Sequence, residues 1–141
     1  MKHKPIPKHI RKVIYAKYGG RCAYCGSEIE YGKMQIDHVK SLYWNSIDNH
    51  FVDNPGIVQD DSLDNLMPSC RQCNYYKAEA DIDGFRSKIS EWLERTCRES
   101  FQVQLAIKYG ILEYNPWDGK FYFEKLNDGN GGSIRREKRS C

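Results

Sequence analysis

The sequence predicts a small α+β domain stapled by a metal, and three observations predict it. Two Cys-x-x-Cys pairs, Cys22/Cys25 and Cys70/Cys73, offer four sulfur ligands in the pattern of a zinc site. Between them, residues 33–39 alternate as a strand does, with Met34 and Ile36 on one face. Around them, apolar residues recur at helical spacing, first at Ile10, Val13, Ile14 and Tyr18.

Composition sets the bounds. At 141 residues the chain suits one domain, large enough for a modest core yet small enough to gain from a staple. Hydrophobic residues at 40% and aromatics at 13% argue against a disordered chain. The sequence has no long apolar run and no charged-then-apolar leader, which predicts a soluble, cytoplasmic protein with no membrane partner. A reducing compartment favours thiolates on metal over disulfides. Cys97 and Cys141 are then left over, the first on an apolar helical stripe and the second at the end of a polar tail.

The net charge of +3 says less than its distribution. Residues 1–21 hold seven Lys and Arg and no acid, whereas residues 41–70 hold five Asp and no Lys or Arg. A basic end beside an acidic, metal-seeking middle suits a phosphate-bearing partner.

Along the chain, the first helix follows Pro5 and Pro7 and is expected to stop at Gly19-Gly20, capping the first knuckle with its apolar face. Its basic face, with Lys8, Arg11, Lys12 and Lys17, is available for backbone phosphate. Gly26 follows the first pair, where amides turn back toward sulfur. Four thiolates make a closed shell, so an ion there builds structure and does not catalyse. Arg21 and Arg71 stand beside ligands and are expected to offset the surplus negative charge.

The 44 residues between Cys25 and Cys70 exceed what a plain zinc ribbon needs, so something is looped out. Strict alternation would put Asp37 and His38 on opposite faces. To serve one site, the strand must end or bulge there, or the two must approach from different sides. The insert at residues 40–62 reads as a long loop; its Tyr43, Trp44 and Phe51 suit covering the core or stacking on bases, and His50 has no partner spacing.

From about residue 69 to 80 a helix is expected to start at the second knuckle, with Asn74 and Lys77 on one face. Phe85, Ile89, Trp92 and Leu93 mark a second helix, and Phe101, Leu105, Ala106 and Tyr109 a third, ended by Gly110. Residues 111–114 and 121–123 read as a β-hairpin turning at Asp118-Gly119. The whole of residues 81–126 is expected to be core and scaffold, and residues 127–141 a mobile basic tail.

Taken together, residues 21–78 resemble the HNH endonucleases: Cys-x-x-Cys, then Asp37-His38, then Asp64-Asn65-Leu66, then Cys-x-x-Cys with Asn74 and Lys77. The resemblance implies a ββα-metal fold in which Asn74 stands where many members have a final His, a His-Asn-Asn variant with a longer insert. It implies hydrolysis of phosphodiester bonds in nucleic acid, DNA before RNA. His38 is then the general base, and Asn65 tethers its loop and orients the imidazole. Asp37 and Asn74 hold one Mg²⁺ or Mn²⁺, apart from the structural Zn²⁺ of the cysteines. Lys77 and Arg71 bind substrate phosphate, and specificity is expected to be either low or supplied by a protein partner. A non-catalytic zinc module that binds nucleic acid or protein is the competing expectation. A thiol redox protein would have no use for Asp37, His38 and Asn74 together.

Overall fold

The structure, a computed structural model, describes residues 5–40, 44–45, 50–51 and 61–128. The insert's aromatic side chains and the basic tail from residue 129 onward lie outside it.

Helix α1 (Lys8–Ala16) starts directly after Pro7, whose fixed φ of −57° suits a helix entry. It buries Ile14 completely but leaves Val13 half exposed. Two cations of this segment are bound to backbone carbonyls. Arg11 donates to the Tyr31 and Met34 carbonyls at 3.0 and 2.7 Å. The Lys17 ammonium, just beyond the helix, donates to the Leu63 and Leu66 carbonyls at 2.7 and 3.1 Å. The basic face expected to be free for phosphate is therefore partly spent in fastening α1 to the strand segments.

Strand β1 (Gln35–His38) ends at His38, and both Asp37 and His38 are still paired within it. The insert, expected as a long loop with little regular structure, carries a short antiparallel pair, β2 (Trp44–Asn45) with β3 (His50–Phe51). Strand β4 (Leu66–Ser69) returns antiparallel to β1, with Asp37 opposite Met67 and His38 opposite Leu66. All four β4 residues are buried. Its free edge is used by the first knuckle, where the Ala23 amide donates to the Pro68 carbonyl at 2.9 Å.

Helix α2 (Arg71–Lys77) is shorter than expected, because Ala78 turns the chain out at φ +49°. Cys70 is its N-cap, its sulfur accepting from the Cys73 amide at 3.4 Å. Helix α3 (Ile82–Ser87) is capped by Asp81, winds wider as a π-helix over Lys88–Leu93 and continues as α4 (Glu94–Glu99). Ser100 then caps α5 (Phe101–Lys108), which stops before Gly110.

Two expectations for this half are overturned. Residues 111–114 and 121–123 form no hairpin; 111–114 are exposed and belong to no strand, and the last described element is α6 (Tyr122–Asn127). The turn at Asp118-Gly119 does form, with the Lys120 amide on the Asp118 carboxylate at 3.1 Å, but it leads into a helix. Glu124 explains this: its side chain accepts from the Phe121 amide at 2.8 Å and caps α6, while Arg86 of α3 grips it at 2.5 Å. Nor are residues 81–126 uniformly core. Phe85 and Phe121 are buried beside Tyr24, yet Phe101, Leu105 and Tyr109 are exposed.

The core itself lies between α1, the first knuckle, β4 and the Phe85–Phe121 stack, whose ring centroids are 5.0 Å apart. Backbone bonds weld the last helix to the first knuckle: Tyr122 donates to the Tyr24 carbonyl and Phe123 to that of Ala23, at 3.0 and 2.8 Å. Gly26 makes room for this contact. It sits at φ +76°, and a Cβ there would lie 2.9 Å from the Tyr122 ring. Among the described residues no helix is long and apolar enough to cross a membrane.

Candidate active site

Cys22, Cys25, Cys70 and Cys73 converge from the two knuckles, with all four sulfurs within 4.8 Å of one another. All are free of disulfides, and the Cys25 and Cys70 sulfurs are 3.9 Å apart. Tetrahedral zinc with bonds of ~2.3 Å requires sulfurs ~3.8 Å apart, so the set fits such an ion. Hydrogen bonding with Cys22 holds the Cys70 thiol down to about 6 and pulls Cys25 down as well, while Cys22 and Cys73 are pushed up. Arg21, expected to offset the sulfur charge, is engaged elsewhere, with the Gly26 carbonyl at 3.0 Å and Glu28 at 3.2 Å.

The knuckles bring α2 against β1, and the contact between them is charged. Lys77, completely buried, places its ammonium 3.0 Å from Asp37 Oδ2 and 3.3 Å from Oδ1, and donates to the His38 carbonyl at 3.2 Å. The Tyr24 hydroxyl donates to the same Asp37 Oδ2. Burial pushes the Asp37 carboxyl above the usual carboxylate range, and the Lys77 charge and Tyr24 bond oppose that shift. Burial likewise pushes the Tyr24 hydroxyl up, so it remains a donor.

Lys77 is thus not where the sequence reading put it. Expected at a flanking phosphate, its ammonium instead neutralises a carboxylate in the interior, with no exposed surface. The signal for Tyr24 and Asp61, which the sequence reading passed over, was faint. One sits inside a Cys-x-x-Cys pair, and the other among the acids of the insert.

His38 faces the other way. Its Nε2 lies 2.8 Å from Asp61 Oδ1, and the ring is about four-fifths buried. A carboxylate on Nε2 favours the proton there and leaves Nδ1 as the acceptor. Asn65 is buried behind this loop: its Oδ1 accepts from the Lys40 amide at 2.9 Å, and its carbonyl accepts from the Val39 amide at 2.9 Å. These bonds fix the chain immediately after His38.

Asn74 is half-buried one helical turn before Lys77, and among the described residues its carboxamide makes no hydrogen bond. Arg71 is exposed at the first position of α2, and the neighbouring Tyr75 is 84% exposed. A carboxylate offers about four lone-pair positions, and Tyr24 and Lys77 use three at Asp37, which leaves one on Oδ1. A carboxylate and a carboxamide oxygen are donors of the kind that a hard, oxygen-seeking cation takes.

Residues 22–79 match the model of the HNH endonuclease family, a span that takes in both knuckles, the β1–β4 pair and α2. The resemblance read from the motifs is borne out over this stretch. Among solved structures the chain is similar to the Type II-C Cas9 enzyme from Actinomyces naeslundii, at 25% identity and a TM-score of 0.45. That similarity spans 62% of this chain and 9% of the other. No curated protein matches the chain.

Proposed function

We propose that the HNH domain at residues 22–79 is a metal-dependent endonuclease that hydrolyses phosphodiester bonds in nucleic acid, DNA before RNA. The observation that carries this reading is the joint between β1 and β4. A partly exposed His38 on a loop pinned by Asn65 follows directly upon a buried, hydrogen-bonded Asp37.

His38 acts as the general base. The Asp61 carboxylate on Nε2 holds the imidazole that takes the proton from water. Asn65 orients it by holding the Lys40 amide. Asp37 and Asn74 hold Mg²⁺ or Mn²⁺ which, when bound, supplies positive charge against the anionic phosphate. Tyr24 and Lys77 orient the Asp37 carboxylate and oppose the upward pull of its burial. Arg71 meets flanking phosphate from the exposed start of α2. The cysteines hold a Zn²⁺ with no open position, which supports structure alone.

The test is cleavage of plasmid, single-stranded, branched and RNA substrates with Mg²⁺ or Mn²⁺. His38→Ala should abolish cutting while zinc content and circular dichroism stay unchanged. Undiminished cutting by that variant rejects the base assignment. One observation favours a rival, a non-catalytic zinc module: Asp37 already has a counter-ion in Lys77. That reading predicts a single bound zinc and no second, weaker divalent site sensitive to Asp37→Ala.

A further inference from the structure

We infer that the stripe along α5 is a docking surface for a second copy of this chain. Phe101, Leu105 and the C-cap Tyr109 follow one another at steps of four along α5, the spacing of a helix face built to be buried, and Leu112 lies just past the helix end. Their exposures are 78, 42, 77 and 49%. Beside them Ile111 is 76% exposed, and the turn at Gly110 folds it back, its amide donating to the Ala106 carbonyl at 2.9 Å. From Glu91 to Pro116 no residue is buried, so this helical arm carries the pattern of a core without having one.

Charge and area select the occupant. Lys108 is the single charged residue of α5. A polyanion therefore finds nothing to hold there, and two copies related by a twofold axis meet without like-charge conflict. Counting ~150–250 Å² per aromatic side chain and somewhat less per aliphatic one, the five residues expose on the order of 600 Å². Two copies face to face would bury ~1,200 Å², where specific interfaces begin, so the association should be reversible. With the nuclease reading above, on which this last step rests, the pair carries two active sites for the two strands of a duplex.

Sedimentation equilibrium of the full chain between ~1 and ~200 μM reads the association directly, independently of cleavage. The expected result is a monomer–dimer equilibrium with a dissociation constant in the micromolar range. Phe101→Glu with Tyr109→Glu should weaken it at least ~100-fold. Val13→Glu, an exposed site on α1, should leave it unchanged. A wild-type chain that stays monomeric throughout overturns the inference, including the case in which the double variant lowers the melting temperature because another segment of the same chain covers the stripe. A dimer that survives the double variant overturns it too.

Discussion

Lys77 Nζ lies 3.0 Å from Asp37 Oδ2, and the two side chains are 0 and 7% exposed, so a cation on α2 and an anion on β1 share one dry contact. Breaking a buried pair strands one charge, which costs far more than the pair contributes in net terms. Lys77→Met should destabilise the chain by ~3–5 kcal/mol in chemical denaturation. The double variant with Asp37→Asn should recover more than ~1 kcal/mol of that loss. A plainly additive double variant would mean that the two groups are not coupled.

The four sulfurs predict a metal requirement for folding. Protein purified without added chelator should carry one zinc per chain by elemental analysis, and zinc removal should abolish cooperative thermal unfolding. Binding free energies of ~10–16 kcal/mol are typical where small domains fold around such an ion. Cys70→Ser, which also disturbs the cap of α2, should give the same outcome in the presence of zinc. A native-like melt in metal-free protein would refute the stapling role.

Asp61 holds His38 by Nε2, and its removal tests whether that contact orients the imidazole. Asp61→Asn should lower cleavage ~10–100-fold, the usual loss when a partner that orients an imidazole is removed. His38→Ala should cost ~10²–10⁴-fold or more. Equal activity in Asp61→Asn and wild type would show that the contact does not orient the base.

Arg86 and Glu124, 2.5 Å apart, tie α3 to α6, and the guanidinium holds the Glu124 carboxyl below its usual range. A carboxylate depressed in this way adds stability above its unfolded pKa and loses it as pH falls through the folded value. The melting temperature should therefore drop on acidification below pH ~5. Glu124→Gln should remove part of that slope and cost ~1 kcal/mol at neutral pH. A variant with an unaltered pH profile would exclude the pair as a source of acid sensitivity.

Much of the site was legible in the chain because it depends on covalent adjacency. Cys73 and Asn74 are neighbours, as are Asp37 and His38, so the cysteine spacing and the Asn65 motif carried over directly into the converging sulfurs and the pinned loop. Lys77 was misjudged because helical spacing gives a residue's face and not what covers that face; its ammonium went inward once Asp37 lay within reach. Tyr24 and Asp61 gave no local sign, since each contributes one polar atom to a partner 13 or 23 positions away.

In the C-terminal half the division is sharper. Apolar periodicity by itself determined that α5 would be a helix with a continuous stripe, and the Asp118-Gly119 turn was equally local. Whether the stripe would be buried, and whether Phe121 to Phe123 would pair as a strand, was decided by tertiary contacts. Glu124 and Arg86 made α6 a helix, and the core closed around Phe85 and Phe121 without reaching Phe101. Periodicity records the shape that a segment prefers; burial depends on which surfaces remain once the strongest contacts have formed.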